Sequence, residues 1–455
     1  MLKNISINII FAILFSACSS MGDIQKLDEM YYKNDEIISS YNYVKKYSNS
    51  DFLWAFQSGI LAYQMGDFEE SINYFNISEQ FFENISGETA INSTFKTLAT
   101  ILVSNNIFEY SGKYYEAVFI NYYKALSAIF INDYKSARVE FNRANDRQRR
   151  SADYFSSYIN QAKQSIEKNN ADFQNEISGI DSNEISKGMN SILLKNYTNI
   201  SSFRAYDGYI NPLIPYVSGI FFLTQNDFNK ANDLLRQSYS ISKKEEILKD
   251  LEILSKRKNG DKANYTWILI EDGRSPKKYE FRIDFPLFLF SKNMIYLNIA
   301  LPNLDSGEEF YKNYYLKGDI EYNGFEISSL QMIVENEFSI ELPYMITTSL
   351  ISSSYKAYLQ YLLSEKIGIL GLIGGALFSK ITTNADIRSS RILPLKFIAF
   401  RIKNSKNNFY IYANNKIIYN FIINNDCKDL CLNSDNMIYI RVFTNKVISL
   451  IHHFK

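Results

Sequence analysis

Apolar residues follow two different periods along this chain, and the change falls near residue 260. Before it, they recur mostly at three- and four-residue spacing, the period of a helix with one buried face. After it, they fall in short alternating or continuous runs bounded by Asn, Gly, Pro and Asp, the pattern of strands. The prediction is an α+β chain: a helical part over residues 50–258 and a mainly antiparallel β part over 259–455. One long helix, about 343–380, interrupts the second part. The charged run Lys256 to Lys262 with Gly260 marks the boundary.

Within the helical part three stretches align without gaps: SGILAYQMGDFEESINYFNIS from Ser58, KALSAIFINDYKSARVEFNRA from Lys124, and SGIFFLTQNDFNKANDLLRQS from Ser218. Each has a small residue second (Gly59, Ala125, Gly219) and a polar corner (Gly66-Asp67, Asn132-Asp133, Asn226-Asp227). After the corner come an aromatic (Phe68, Tyr134, Phe228), a small residue (Ser71, Ala137, Ala231) and a large apolar one (Phe75, Phe141, Leu235). These are the demands of a helical hairpin. The corner accepts unusual backbone angles, the small residues permit close approach, and the large ones fill the gap. The unit resembles the tetratricopeptide repeat, a helix-turn-helix of about 34 residues. That resemblance implies a solenoid over roughly Ser50 to Ser240 with a concave surface suited to a protein or peptide. An irregular helical bundle is the other reading. The uneven spacing of the three units calls for a degenerate unit between Phe81 and Ser111 and an insertion over Ser165 to Asn190. Asn211 and Pro212 suit the cap and first position of the third hairpin. Residues 242–254 form an amphipathic helix.

In the second part, residues 265–285 read as strand, turn, strand, with further strands at 294–302, 395–402, 408–413, 416–423 and 437–443. The breaks Lys403 to Asn407 and Asn414-Asn415 suit hairpins, giving an antiparallel sheet or sandwich. The inserted helix ends in IGILGLIGGALFS, residues 367–379, uncharged and rich in glycine. It is too short to span a bilayer. It reads as a buried helix packed on the sheet or as a membrane-contacting element.

The N-terminus supplies an address. Lys3, an apolar run from Ile5 to Phe15, small Ser16 and Ala17, and then Cys18 resemble a lipoprotein signal peptide over residues 1–17 with its lipobox. Phe15 stands where leucine is usual. An ordinary secretory signal is the alternative. The lipobox reading makes Cys18 the acylated first residue, with 18–49 as tether and lead-in. Ser19 after it resembles the sorting signal for the outer membrane, facing the periplasm. The two remaining cysteines, Cys427 and Cys431, suit a disulfide in an oxidising compartment. A metal site with Asp426, Asp429 and Asp435 is the alternative.

Charge narrows the function classes. There are 49 Lys plus Arg and 49 Asp plus Glu, so no overall field draws nucleic acid. The only two histidines, His452 and His453, lie at the C-terminus, and there is no phosphate loop or dinucleotide fingerprint. No catalytic group, metal or cofactor is expected; a carboxylate-pair hydrolase of cell wall or glycan is the least favoured reading. Arg143, Arg147 and Arg150 fall at helical spacing near Arg138 and Arg149. They suit an anionic or acidic partner surface, or a solvated helix end where cations complement the dipole. Asp386, Arg388 and Arg391 suggest an ion cluster tying helix to sheet.

Four sets of residues together resemble an uncharacterised family of bacterial lipoproteins: 112–126 with 137–148, 209–223, 271–276 and 385–394. Members of that family carry His where Asn121 stands and Trp where Ser390 stands. The resemblance implies an envelope lipoprotein with repeat and β-rich parts. The expected role is a lipid-anchored scaffold that meets an envelope protein through its repeat surface. A membrane-active or secretion-associated component using residues 367–379 is the alternative.

Overall fold

The structure is a computed structural model that describes residues 19–33, 37–86, 110, 112–151, 153–155, 157, 160, 182–198, 210–289, 293–367 and 383–454. Cys18 and residues 368–379 of the glycine-rich tail lie outside these, as does most of the expected degenerate unit. The protein is mixed α+β, with helices in the N-terminal part and sheets in the C-terminal part.

The chain opens with α1 (Ser19–Asp28), a π-helical turn (Glu29–Lys33) and α2 (Ile37–Lys45). Three helical hairpins follow: α3 (Phe52–Gln64) with α4 (Phe68–Ser86), α5 (Tyr114–Phe130) with α6 (Tyr134–Arg149), and α8 (Leu213–Thr224) with α9 (Phe228–Ser242). Between the second and third stands α7 (Ser182–Asn196), so the expected insertion is partly helical. Helix α10 (Glu246–Lys258) closes this part.

The three corners repeat one geometry. Gly66, Asn132 and Asn226 all have positive φ, 79°, 61° and 59°. The amides of Asp67, Asp133 and Asp227 then donate to Ala62, Ala128 and Phe222 at 2.9, 2.8 and 2.9 Å, closing each first helix. Asp133 and Asp227 cap the second helices by accepting from Ser136 and Lys230. Gly59 faces Phe75, and Gly219 faces Leu235; a Cβ at either position would meet that side chain at 2.8 Å. Asn211 Oδ1 accepts from the Leu213 amide at 3.0 Å, capping α8.

The β part holds two five-stranded sheets and a ribbon. The first sheet runs β12-β11-β1-β7-β6: β1 Tyr265–Asp272, β6 Phe325–Ser329, β7 Lys396–Lys403, β11 Asn436–Val442 and β12 Val447–His453. The second runs β10-β9-β8-β4-β5: β4 Tyr314–Lys317, β5 Glu321–Asn323, β8 Asn407–Ala413, β9 Lys416–Asn424 and β10 Leu430–Cys431. The ribbon pairs β2 (Lys278–Leu289) with β3 (Asn293–Leu304). Most pairs are antiparallel, but β1 runs parallel to β11.

Three layers result. Ile268, Ile270, Ile398, Phe400, Ile438 and Ile440 of the first sheet pack on Leu316, Phe409, Ile411 and Phe421 of the second. The alternate residues Trp267, Leu269, Phe397, Ala399, Met437 and Tyr439 join the helical core. Burial on both faces is why β1 and β11 read as nearly unbroken apolar runs.

The helix faces expected to be free for a partner are buried instead. Every residue of α3 is buried, as are Tyr114–Ile129 of α5 and Leu213–Leu223 of α8. Their inner faces meet the first sheet: Tyr63 contacts Tyr439, Phe119 stacks on Phe397, and Tyr216 meets Phe325 edge-on. Of the six hairpin helices, α4, α6 and α9 turn a polar face to water. Two local expectations also change. Asn414-Asn415, both at positive φ, do turn the β8–β9 hairpin. The break at 403–407 instead carries the chain from one sheet to the other. The long helix α11 (Leu330–Ile367) starts thirteen residues before Pro343, which lies inside it.

Candidate functional site

A large recess that draws on the predicted arginines lies on the outer face, where α4 and α6 converge. It encloses about 790 Å³ and is lined by Glu79, Phe82 and Glu83 of α4, Arg143, Asp146 and Arg147 of α6, Arg150, and Tyr114 with Tyr154. Helical spacing puts Arg143, Arg147 and Arg150 on one side of α6.

An ion network forms the floor. Lys124 bridges Glu79 and Glu140 at 2.9 and 3.1 Å. Arg147 donates to Glu79 at 3.0 Å, to Asn121 Oδ1 at 2.8 Å and to the Ala117 carbonyl at 2.7 Å. Asn121 Nδ2 donates to Glu140 at 2.7 Å and to Glu79 at 3.2 Å. Burial pushes the Glu79 carboxyl up, but Lys124 and then Arg147 outweigh it and hold it below the usual range. Tyr114 stacks on Tyr154 with ring centres 4.3 Å apart and donates to the Arg147 carbonyl.

The predicted arginines thus divide. Arg147 is a structural member of the floor, its side chain 16% exposed. Arg143 is 56% exposed and touches Glu140 from the rim. Arg150 is exposed at the end of α6, and Arg149 pairs with Asp146. Arg138 lies apart, bonded at 2.7 Å to Asp227 of the next hairpin corner and stacked over Phe222. Sequence reasoning missed Glu79, Lys124 and Glu140, whose charges sit on otherwise apolar helix faces.

A second set of polar groups is buried between the helices and the sheet. Glu271 accepts from Tyr123 at 3.0 Å and Tyr439 at 2.6 Å, and burial pushes its carboxyl up to about 7. Arg441, fully buried, donates to the carbonyls of Glu271 and Gly273 and to Tyr31 and Tyr32. Asp250 of α10 accepts from Trp267 and Tyr216 and pairs with Arg401 at 2.9 Å. Glu337 of α11 accepts from the amides of Tyr114 and Tyr115, and its neighbour Glu341 pairs with Lys113. Arg257, in the charged run that marks the boundary, makes two 2.6 Å bonds to Asp435 from the last turn of α10.

The Asp386–Arg388 pair exists at 3.0 Å, and Arg388 lies over the Tyr110 ring. Arg391 does not join it. Its guanidinium donates to the Ile387 carbonyl and its amide to Gln57 of α3. Cys427 and Cys431 are joined as a disulfide near the β9–β10 turn. His452 is buried in β12 against Tyr134, and His453 meets Asn436.

The stretches that carry the lipoprotein resemblance meet one another. Glu116 accepts from the Ser390 amide at 2.9 Å. Ser275 donates to the Leu393 carbonyl, and the Asn211 amide donates to the Gln148 side chain. The first of these stitches the helical part to the β part, the second lies within the β part and the third within the helical part. Among the described residues no group of three or more His, Cys, Asp or Glu is placed to hold a metal ion. Among the same residues no helix is long and apolar enough to cross a membrane. No family model matches the chain, and neither does any curated protein or solved structure.

Proposed function

We propose that this protein is an envelope lipoprotein, tethered through Cys18 and facing the periplasm, that acts as a non-enzymatic protein–protein scaffold. Its hairpins form a tetratricopeptide-like array whose inner face is occupied by the protein's own sheet. The partner surface is therefore the outer one. The observation that carries this reading is the groove between α4 and α6. It combines rim cations (Arg143, Arg150), exposed carboxylates (Glu83, Asp153) and aromatic walls (Phe82, Tyr114, Tyr154). Mixed charge with aromatic surface suits a protein segment and gives nucleic acid no continuous cationic track. The floor carboxylates Glu79 and Glu140 are both ion-paired, which disfavours them as catalytic acids or bases.

The test is in vivo crosslinking of the tethered protein at the groove rim, with mass spectrometry of what co-purifies from the envelope. One dominant envelope partner, lost when Arg143 and Arg150 are both reversed to Glu while the melting temperature holds, is the expected outcome. A partner that survives the reversal, or none at all, defeats the reading.

A further inference from the structure

The two five-stranded sheets have four edges, and three are blunted. Strand β10 has two residues. Strand β5 has three, one of them Glu321. Strand β6 carries a register shift between Glu326 and Ser328 and runs straight into α11. Short strands, charges and bulges are how sheets refuse further pairing. Strand β12 has none of these. Val447–His453 is seven residues long, pairs with β11 in unbroken register, and contains no Lys, Arg, Asp, Glu or Pro.

The backbone of β12 can be divided between its two sides. Just outside the strand, Phe443 donates to the Lys446 carbonyl and Phe454 to the Asp435 carbonyl, both in register with the β11–β12 ladder. Bonded pairs alternate along an antiparallel ladder. So Ile448, Leu450 and His452 spend their backbone groups on β11. Val447, Ser449, Ile451 and His453 turn theirs away from β11, to a side where no strand of the described residues pairs. The side chains continue both packed layers. Ile448 and Leu450 lie against the helix-side core, and Val447 and Ile451 against the sandwich core.

We propose that the open edge of β12 accepts an extended, uncharged, β-prone segment of a partner protein by strand addition. A second copy of this chain fits less well. An edge of seven residues is about 24 Å long and about 10 Å deep, roughly 240 Å². A stable dimer needs about 800 Å² per partner. A single added strand gains its affinity from main-chain hydrogen bonds and alternate side-chain contacts, which this edge supplies on both faces. The inference is independent of the α4–α6 groove, and either can fail alone.

The test uses the full chain in detergent and the peptide Val-Ile-Ser-Leu-Ile-His-His, the β12 sequence itself, as an uncharged strand probe. The peptide should bind saturably. Hydrogen exchange at the amides of Val447, Ser449, Ile451 and His453 should be fast without peptide and slow at least ~10-fold with it. Ser449→Pro removes an outward donor and leaves the bonds to β11 intact, so it should weaken binding about 10-fold with little change in melting temperature. If Ser449→Pro unfolds the protein, Val447→Pro removes the first outward donor, at the strand start where proline is tolerated, and should have the same effect. Three results overturn the proposal: the four amides already protected without peptide, no peptide binding, or a dimer of the pure protein that Ser449→Pro abolishes.

Discussion

Arg143 and Arg147 stand four positions apart on α6, and burial separates their energetics. Arg147 sits in the groove floor against Glu79 and Asn121, whereas Arg143 reaches Glu140 from a mostly exposed position. Removing one partner of a buried pair strands the other, at a cost of roughly 3 kcal/mol. Removing an exposed one changes little, about 0.5 kcal/mol. Urea unfolding of Arg147→Ala and Arg143→Ala should reproduce this ranking; equal losses would contradict the floor-and-rim assignment. Glu271 yields a pH prediction. Burial raises its folded-state pKa from the ordinary 4.5 to about 7. The folded protein thus holds that proton more tightly than the unfolded chain. The resulting stability is fully present below about pH 4.5 and is lost as pH rises through about 7, with a slope of at most ~1.4 kcal/mol per pH unit. Glu337, pushed up to about 8 by burial and then by Glu341, continues the loss at higher pH. Unfolding free energies measured from pH 4 to 8 should fall across this window in the native protein and fall less steeply in Glu271→Gln. Parallel profiles would show that Glu271 does not carry the effect.

At the scale of elements, the hairpins rest on close helix contact. Gly59 abuts the ring of Phe75, which is itself stacked on Tyr123 and cannot swing aside. A methyl group at Gly59 gains about 1 kcal/mol of helix propensity. It also overpacks a filled contact, which costs about 1–3 kcal/mol. Gly59→Ala should therefore lower stability by roughly 1 kcal/mol in denaturant titration, and a more stable variant would mean that α3 and α4 are not held at this distance. These contacts were legible in the sequence because a hairpin is local: corner, small residue and large residue fall within 21 residues of one another. Strands β1, β3, β7, β8, β9 and β11 were legible for the same reason. Their partners were not. Strand β1 pairs with β7 and β11, more than 120 residues away, and no local signal encodes a parallel neighbour at that distance. Nor did Glu271 stand out as buried. It heads the polar stretch EDGRSP, where charge ordinarily means a solvated turn, and the tyrosines that satisfy it come from α5 and β11. Of the groove, the sequence displayed the arginines but not the carboxylates that decide which of them is exposed.

The whole molecule behaves as the fusion of its two parts. The proposed repeat array would ordinarily keep its inner helices for a partner, but α3, α5 and α8 are buried against the first sheet. The seam is apolar, with Tyr63, Phe119 and Tyr216 facing Tyr439, Phe397 and Phe325. It is also pinned by polar groups that bond across it: Glu271 with Tyr123, Asp250 with Arg401 and Trp267, Arg257 with Asp435. Separating the parts exposes the apolar faces and breaks the ion pairs Asp250–Arg401 and Arg257–Asp435, and breaking a buried pair costs several kcal/mol. Residues 19–258 alone should therefore not fold as a soluble monomer, although they contain all three hairpins. The full chain should unfold in one cooperative calorimetric transition, since no subset of its layers keeps a closed core. Two resolved transitions, or a well-folded 19–258 fragment with native hydrogen-exchange protection in α5, would show instead that the helical array is complete without the sheet. The inner face would then regain its claim as the partner surface, and the outer groove would lose its own.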